Sequence, residues 1–207
     1  MKKIIALTLS LAMTLGVLSF FNPAIVEAVT SSDIVALSLT VTPDITITAP
    51  GNVTIPAITI AGGDQNNSAT WTVVTNATGG YTLKTKFKTA DAMKNAADQI
   101  NNYTPGVVNT PEAWSIAASA YEFGIGTYST GQTDVNSGTW GSGSDCAGAY
   151  YVQPTTALST YTFASRTTET ASAGIATALC FRAAQGANVY IPSGVYTGTV
   201  TAYAATQ

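Results

Sequence analysis

From Ile175 to Ala183 the chain alternates. Ile175, Thr177, Leu179, Phe181 and Ala183 fall on one face of an extended backbone, and Ala176, Ala178, Cys180 and Arg182 on the other. A period of two is the strand period, because successive side chains point to opposite faces. The pattern resumes at Tyr196, Gly198, Val200 and Ala202, interleaved with Thr197, Thr199, Thr201 and Tyr203. Between the two runs, Ile191-Pro192-Ser193-Gly194 supplies turn chemistry: Pro fixes φ and Gly permits positive φ. The stretch 171–203 is therefore expected to form two strands around a turn. Two strands cannot bury such faces alone, so the preceding chain must supply an opposing layer.

The preceding chain has the same texture. Val35, Leu37, Leu39 and Val41 alternate with Ala36, Ser38 and Thr40 before Pro43 interrupts, and Ile45 and Ile47 resume. Asn52 to Ile60 is a short strand candidate whose Pro56 places it at an edge or bulge. Gly62-Gly63-Asp64-Gln65-Asn66-Asn67 has turn composition. Residues 69–76 and 80–88 predict a hairpin around Asn76-Ala77-Thr78-Gly79-Gly80. Within it Tyr81, Leu83, Thr85 and Phe87 face one way, and Thr82, Lys84, Lys86 and Lys88 the other. Ala92, Met93, Ala96, Ala97 and Ile100 lie near helical spacing and predict a short helix near 90–100. Strands are expected over 113–118, 121–128, 149–153 and 160–165. The segment 130–148, rich in Gly and Ser, is expected to be the longest stretch of low order. Nine to eleven short strands separated by turn signals predict an all-β fold, an antiparallel sandwich with one short helix near 90–100.

The chain has 207 residues, only 9% of them charged, and no His. Its start has the form of an export signal. Lys2-Lys3 is basic, Ile4 to Phe21 is apolar, and Val26-Glu27-Ala28 is a small-residue cleavage site. Removal of residues 1–28 would leave 179 residues as one domain, with six Lys and Arg against ten Asp and Glu, a net charge of −4. No basic footprint for nucleic acid is present. No membrane partner is expected once the signal is removed, and the polar mature start disfavours a type IV pilin.

Cys146 and Cys180 are the sole cysteines. In an exported chain such a pair predicts a disulfide, worth roughly 3–4 kcal/mol by loop-closure entropy. The alternation sets Cys180 opposite Leu179 and Phe181, so the bridge is expected to pin the loop around Cys146 onto an outer face. Without His the commonest general base and metal ligand is missing. No nucleophile elbow or phosphate loop is present, and no carboxylate pair shares a motif. The reading is therefore a non-enzymatic protein with no catalytic residues, no cofactor and no metal. Lys84, Lys86 and Lys88 are the one concentration of charge. They fit either a contact face for an anionic wall polymer or a solvated strand face that discourages edge-to-edge aggregation.

Phe181-Arg182-Ala183-Ala184 and the run Pro192 to Thr201, with Trp71 to Asn76 and Gly80 to Leu83, resemble a broad group of bacterial surface β-sandwiches. That group includes WxL-type wall-associated proteins, spore-coat-U-type secreted pilins and camelysin/TasA-like fibre proteins. The likeness covers mainly residues 69–88 and 173–207. It implies an Ig-like or jelly-roll sandwich at the cell surface, often polymeric. Trp71-Thr72-Val73 and Trp114-Ser115-Ile116 depart from Trp-x-Leu, so peptidoglycan binding does not carry over. Two functions fit. One is a secreted, self-assembling fibre or pilus-like subunit whose strand Val35, Leu37, Leu39 and Val41 completes the sheet of a neighbouring copy. That strand could equally close its own sheet. The other is a monomeric wall- or ligand-binding module using the lysine face or the loop 130–148.

Overall fold

The computed structural model describes residues 36–60, 63–158 and 160–207. The signal segment and Val35 lie outside the described residues. Residues 41–207 form one compact unit. Its strands are β1 (Ile45–Thr48), β2 (Gly63–Thr75), β3 (Tyr81–Phe87), β4 (Met93–Lys94), β5 (Gln99–Asn102), β6 (Glu112–Ala113), β7 (Tyr121–Thr127), β8 (Tyr150–Val152), β9 (Thr162–Arg166), β10 (Ile175–Gln185) and β11 (Val200–Thr206). A single helical turn, α1, spans Ser137–Trp140. The fold is the expected all-β sandwich of antiparallel sheets, and α1, the one short helix among the described residues, is not at the expected place.

The large sheet runs β1-β2-β10-β7-β5-β4, with β8 beside β7 and β6 beside β8; the small sheet runs β11-β3-β9. All pairings are antiparallel except β5 with β7. The long central ladder joins β2 to β10, from Val73 opposite Ile175 to Gly63 opposite Gln185. Trp71, Val73, Leu179, Phe181, Phe123 and Ile125 from the large sheet meet Tyr81, Leu83, Phe87, Phe163 and Ala164 from the small one. Phe87 and Phe123 touch edge to face across the two layers, with centroids 5.9 Å apart.

The residues that face inward were foreseen; the strands they pair with often were not. The predicted hairpin over 69–88 is instead an arch. β2 lies in the large sheet and β3 in the small one, each turning its apolar face to the same core. Likewise β10 and β11 do not pair with each other, and the connection at Ile191–Gly194 carries the chain between layers. Alternation fixes which face is buried and is silent about which strand supplies the hydrogen bonds.

The helix expected near 90–100 is absent, and β4 and β5 pair there instead. Asn95 decides the matter. Its Oδ1 accepts the Ala97 and Asp98 amides at 2.8 and 2.6 Å, closing a turn that a short Ala-rich segment cannot outcompete as helix. The supposed turn at 62–67 is strand from Gly63 onward, held by β10. Residues 52–58 do not form a strand, yet Val53, Ile55 and Ile58 still pack on the core. The amide of Asn67 donates to Thr54 O and that of Gln185 to Thr59 O, replacing ladder bonds along this edge.

Candidate functional site

Three features singled out from the sequence stand in separate places. The first is the alternating run before Pro43. Residues 36–44 carry no strand, and Leu37, Leu39 and Val41 are 92%, 89% and 70% exposed. Hydrogen bonds to the rest of the fold follow just after them. The Asn76 amide accepts the Asp44 N–H at 2.6 Å and donates to Thr42 O at 3.1 Å, fixing the entry into β1.

The second feature is the disulfide. Cys146 and Cys180 are bonded, with Cα atoms 5.4 Å apart. They belong to a small apolar cluster on the outer face of the large sheet, with Tyr103, Ala149 and Tyr151 buried and Trp114, Ile116 and Tyr128 beside them. Tyr103 stacks on Trp114 at 4.5 Å. The Arg182 guanidinium lies 5.3 Å from the Trp114 ring centre and 5.5 Å from that of Tyr151, and it grips the Asp64 carboxylate with Nε and Nη2. Burial pushes the Tyr151 phenol far above its ordinary range, and the Arg182 guanidinium pulls against that. Burial and then the Glu112 carboxylate push Tyr103 up to about 12. The cluster is closed packing around a staple rather than an open recess.

The loop carrying Cys146 is more ordered than its composition suggested. Asn136 caps α1 by accepting the Gly138 and Thr139 amides. Trp140 is buried, stacks on Phe163 at 4.6 Å and donates its indole N–H to Thr162 O. Asp134 O accepts the Ser165 N–H, so this loop covers the outer edge of β9. The Asp134 carboxylate is itself buried, accepting from Tyr81 Oη at 2.7 Å and Arg166 Nη1 at 3.2 Å. Val135 and Trp140, lone large apolar residues among Gly and Ser, were the available signals. Gln132 extends the β10 ladder past the end of β7, taking the Ala178 N–H at 2.6 Å on Oε1.

The third feature is the lysine row. Lys84, Lys86 and Lys88 do lie on the outward side of the β3 line; β9 flanks β3 only from Tyr81 to Lys84, and beyond it the Phe87 N–H donates to Thr155 O. Register sets Lys84 opposite Tyr203 and Lys86 opposite Thr201. The Lys88 N–H donates to Thr199 O, and Lys94 forms a bridge with Thr197. Every lysine of the described residues thus stands beside one alternate residue of the segment 197–203. Lys86 Nζ sits 5.0 Å above the Tyr203 ring. An open recess of about 290 Å³ lies at this face, lined by Lys86, Phe87, Lys88, Thr156, Thr199 and Thr201. Both arginines are ion-paired, Arg166 to Asp134 and Arg182 to Asp64; among the described residues no lysine is.

Among the described residues no group of three His, Cys, Asp or Glu side chains could hold a metal ion, and no helix is long and apolar enough to cross a membrane. In comparisons with known proteins, no family model, no curated protein and no solved structure matches the chain.

Proposed function

We propose that this chain is an exported structural subunit of a cell-surface fibre, and that its N-terminal run adds as a strand to a neighbouring copy. The carrying observation is the exposure of Leu37, Leu39 and Val41 in strict alternation, in no ladder, immediately before the anchor at Asn76. Burying each such aliphatic side chain is worth about 1.5–3 kcal/mol, so leaving three in water forgoes a stabilisation that a partner copy would restore. An added strand contributes main-chain hydrogen bonds and alternate side chains in one step. The seven-residue strand β11 is an edge strand of the small sheet, and its inward Val200, Ala202 and Ala204 are only partly buried. Such an edge fits a donor whose own side chains are Leu37, Leu39 and Val41. Export rests on the signal-like residues 1–28.

The test is electron microscopy of the chain from Val29 onward beside a Leu37→Ser, Leu39→Ser, Val41→Ser variant. The parent is expected to form filaments and the variant monodisperse particles with the same circular-dichroism spectrum. A variant that assembles as well as its parent would rule the donor run out.

A further inference from the structure

We propose that the lysine-bearing face of the small sheet is a binding site for a linear, phosphate-bearing polyanion. The chain as a whole is acidic, so this face has no general positive field behind it. Its cations are nevertheless gathered. Lys84, Lys86, Lys88 and Lys94 lie beside Tyr203, Thr201, Thr199 and Thr197 in turn, and among the described residues none is ion-paired with a carboxylate. The two arginines, which favour forked ion pairs, are both consumed in structural pairs. What is left is a row of ammonium groups, compact charges that suit phosphate.

Three properties point to an extended ligand. Alternate residues on a strand are spaced about 6.5 Å apart, so the row from Lys84 to Lys88 is about 13 Å long before Lys94 is added. The recess at Lys86 and Lys88 is open, and it is lined by threonine hydroxyls that can donate to phosphate oxygens, with no carboxylate in its lining. Apart from Phe87 and the rim residue Tyr203, nothing here offers the apolar anchor that a compact organic anion would use. Lys84 is held between β11 and β9, and the backbone at Lys86 and Lys88 is held by the 199–201 segment on one side and by the Phe87 N–H to Thr155 O bond on the other. This site does not rest on the assembly reading above.

The probe is inorganic polyphosphate, titrated into the chain from Val29 onward at low salt. Polyphosphate is expected to bind, and orthophosphate at equal phosphorus to bind far more weakly. Four engaged charges on a single-stranded polymer imply about a fifty-fold loss of affinity for a fourfold rise in salt. Lys84→Ser, Lys86→Ser, Lys88→Ser is expected to weaken binding at least tenfold with unchanged thermal unfolding. The matching triple Lys→Arg chain keeps binding, and so does the Leu37→Ser, Leu39→Ser, Val41→Ser chain. The proposal is overturned if the serine variant binds like the parent, or if the arginine variant loses binding as fully as the serine one. Equal affinity for polyglutamate would also overturn it, by removing the preference for phosphate.

Discussion

Asp134 is a carboxylate in a place that an acidic, Gly- and Ser-rich loop does not advertise. It is buried where the loop covers the edge of β9, receives the Tyr81 hydroxyl and ion-pairs with Arg166, whose side chain is 29% exposed. Burial first, and then the hydrogen bond to Asp134, lift the Tyr81 phenol far above its ordinary range. Removing one partner of a buried pair leaves the other uncompensated, at 3–5 kcal/mol in the fully buried case, and the partial exposure of Arg166 reduces that. Asp134→Ala should therefore cost about 2–3 kcal/mol, measured by urea unfolding. Tyr81→Phe, which removes only a hydroxyl, should cost about 1 kcal/mol. If both changes cost the same, the ion pair with Arg166 contributes nothing.

Among the elements, the arch between β2 and β3 sets the topology. Gly80 has φ +74°, and a Cβ there would come within van der Waals overlap of the Arg166 carbonyl oxygen. Gly80→Ala must strain the backbone and displace β9 together, and a loss of more than about 2 kcal/mol is expected in the same unfolding measurement. A loss under half of that would mean that the arch tolerates a wider opening. This element also shows where sequence reading stops. The alternation at Tyr81, Leu83, Thr85 and Phe87 identified the buried face, and that of Leu179, Cys180 and Phe181 set the disulfide on the outer side, because face choice is local. Whether Trp71 and Leu83 sit beside each other in one sheet or across the core in two depends on strands more than 80 residues away, such as β10, which takes β2's free edge. Asn95 closing a turn and Asp64 finding Arg182 in a strand were hidden for a related reason. A polar side chain's partner is a tertiary fact, whereas its composition suggests only a loop. At the candidate sites, the lysine face was legible from period two alone. Lys94 joined it only through the bridge to Thr197.

At the scale of the whole molecule, buried phenols tie both apolar regions to one pH limit. Tyr81 lies in the main core, and Tyr103 and Tyr151 lie in the outer cluster around the disulfide; all three are fully buried. Their folded pKa values are raised from 10.0, that of Tyr103 to about 12 and those of the other two further. A raised folded pKa means that the native state keeps protons the unfolded chain has already released. The stabilisation is therefore complete below pH 10 and is lost as pH climbs toward the folded values. Each group contributes about 1.4 kcal/mol per pH unit within that window, so three give a slope approaching about 4 kcal/mol per unit. Unfolding should be abrupt between about pH 10 and 12. Phenolate absorbance from Tyr81, Tyr103 and Tyr151 should rise only as the β-sheet circular-dichroism signal collapses, and Tyr161, also buried and raised by its burial, should follow them. A single smooth phenolate titration centred near 10 with the sheet signal intact would show that water reaches these rings in the native state, and that the two regions are not sealed as their burial implies.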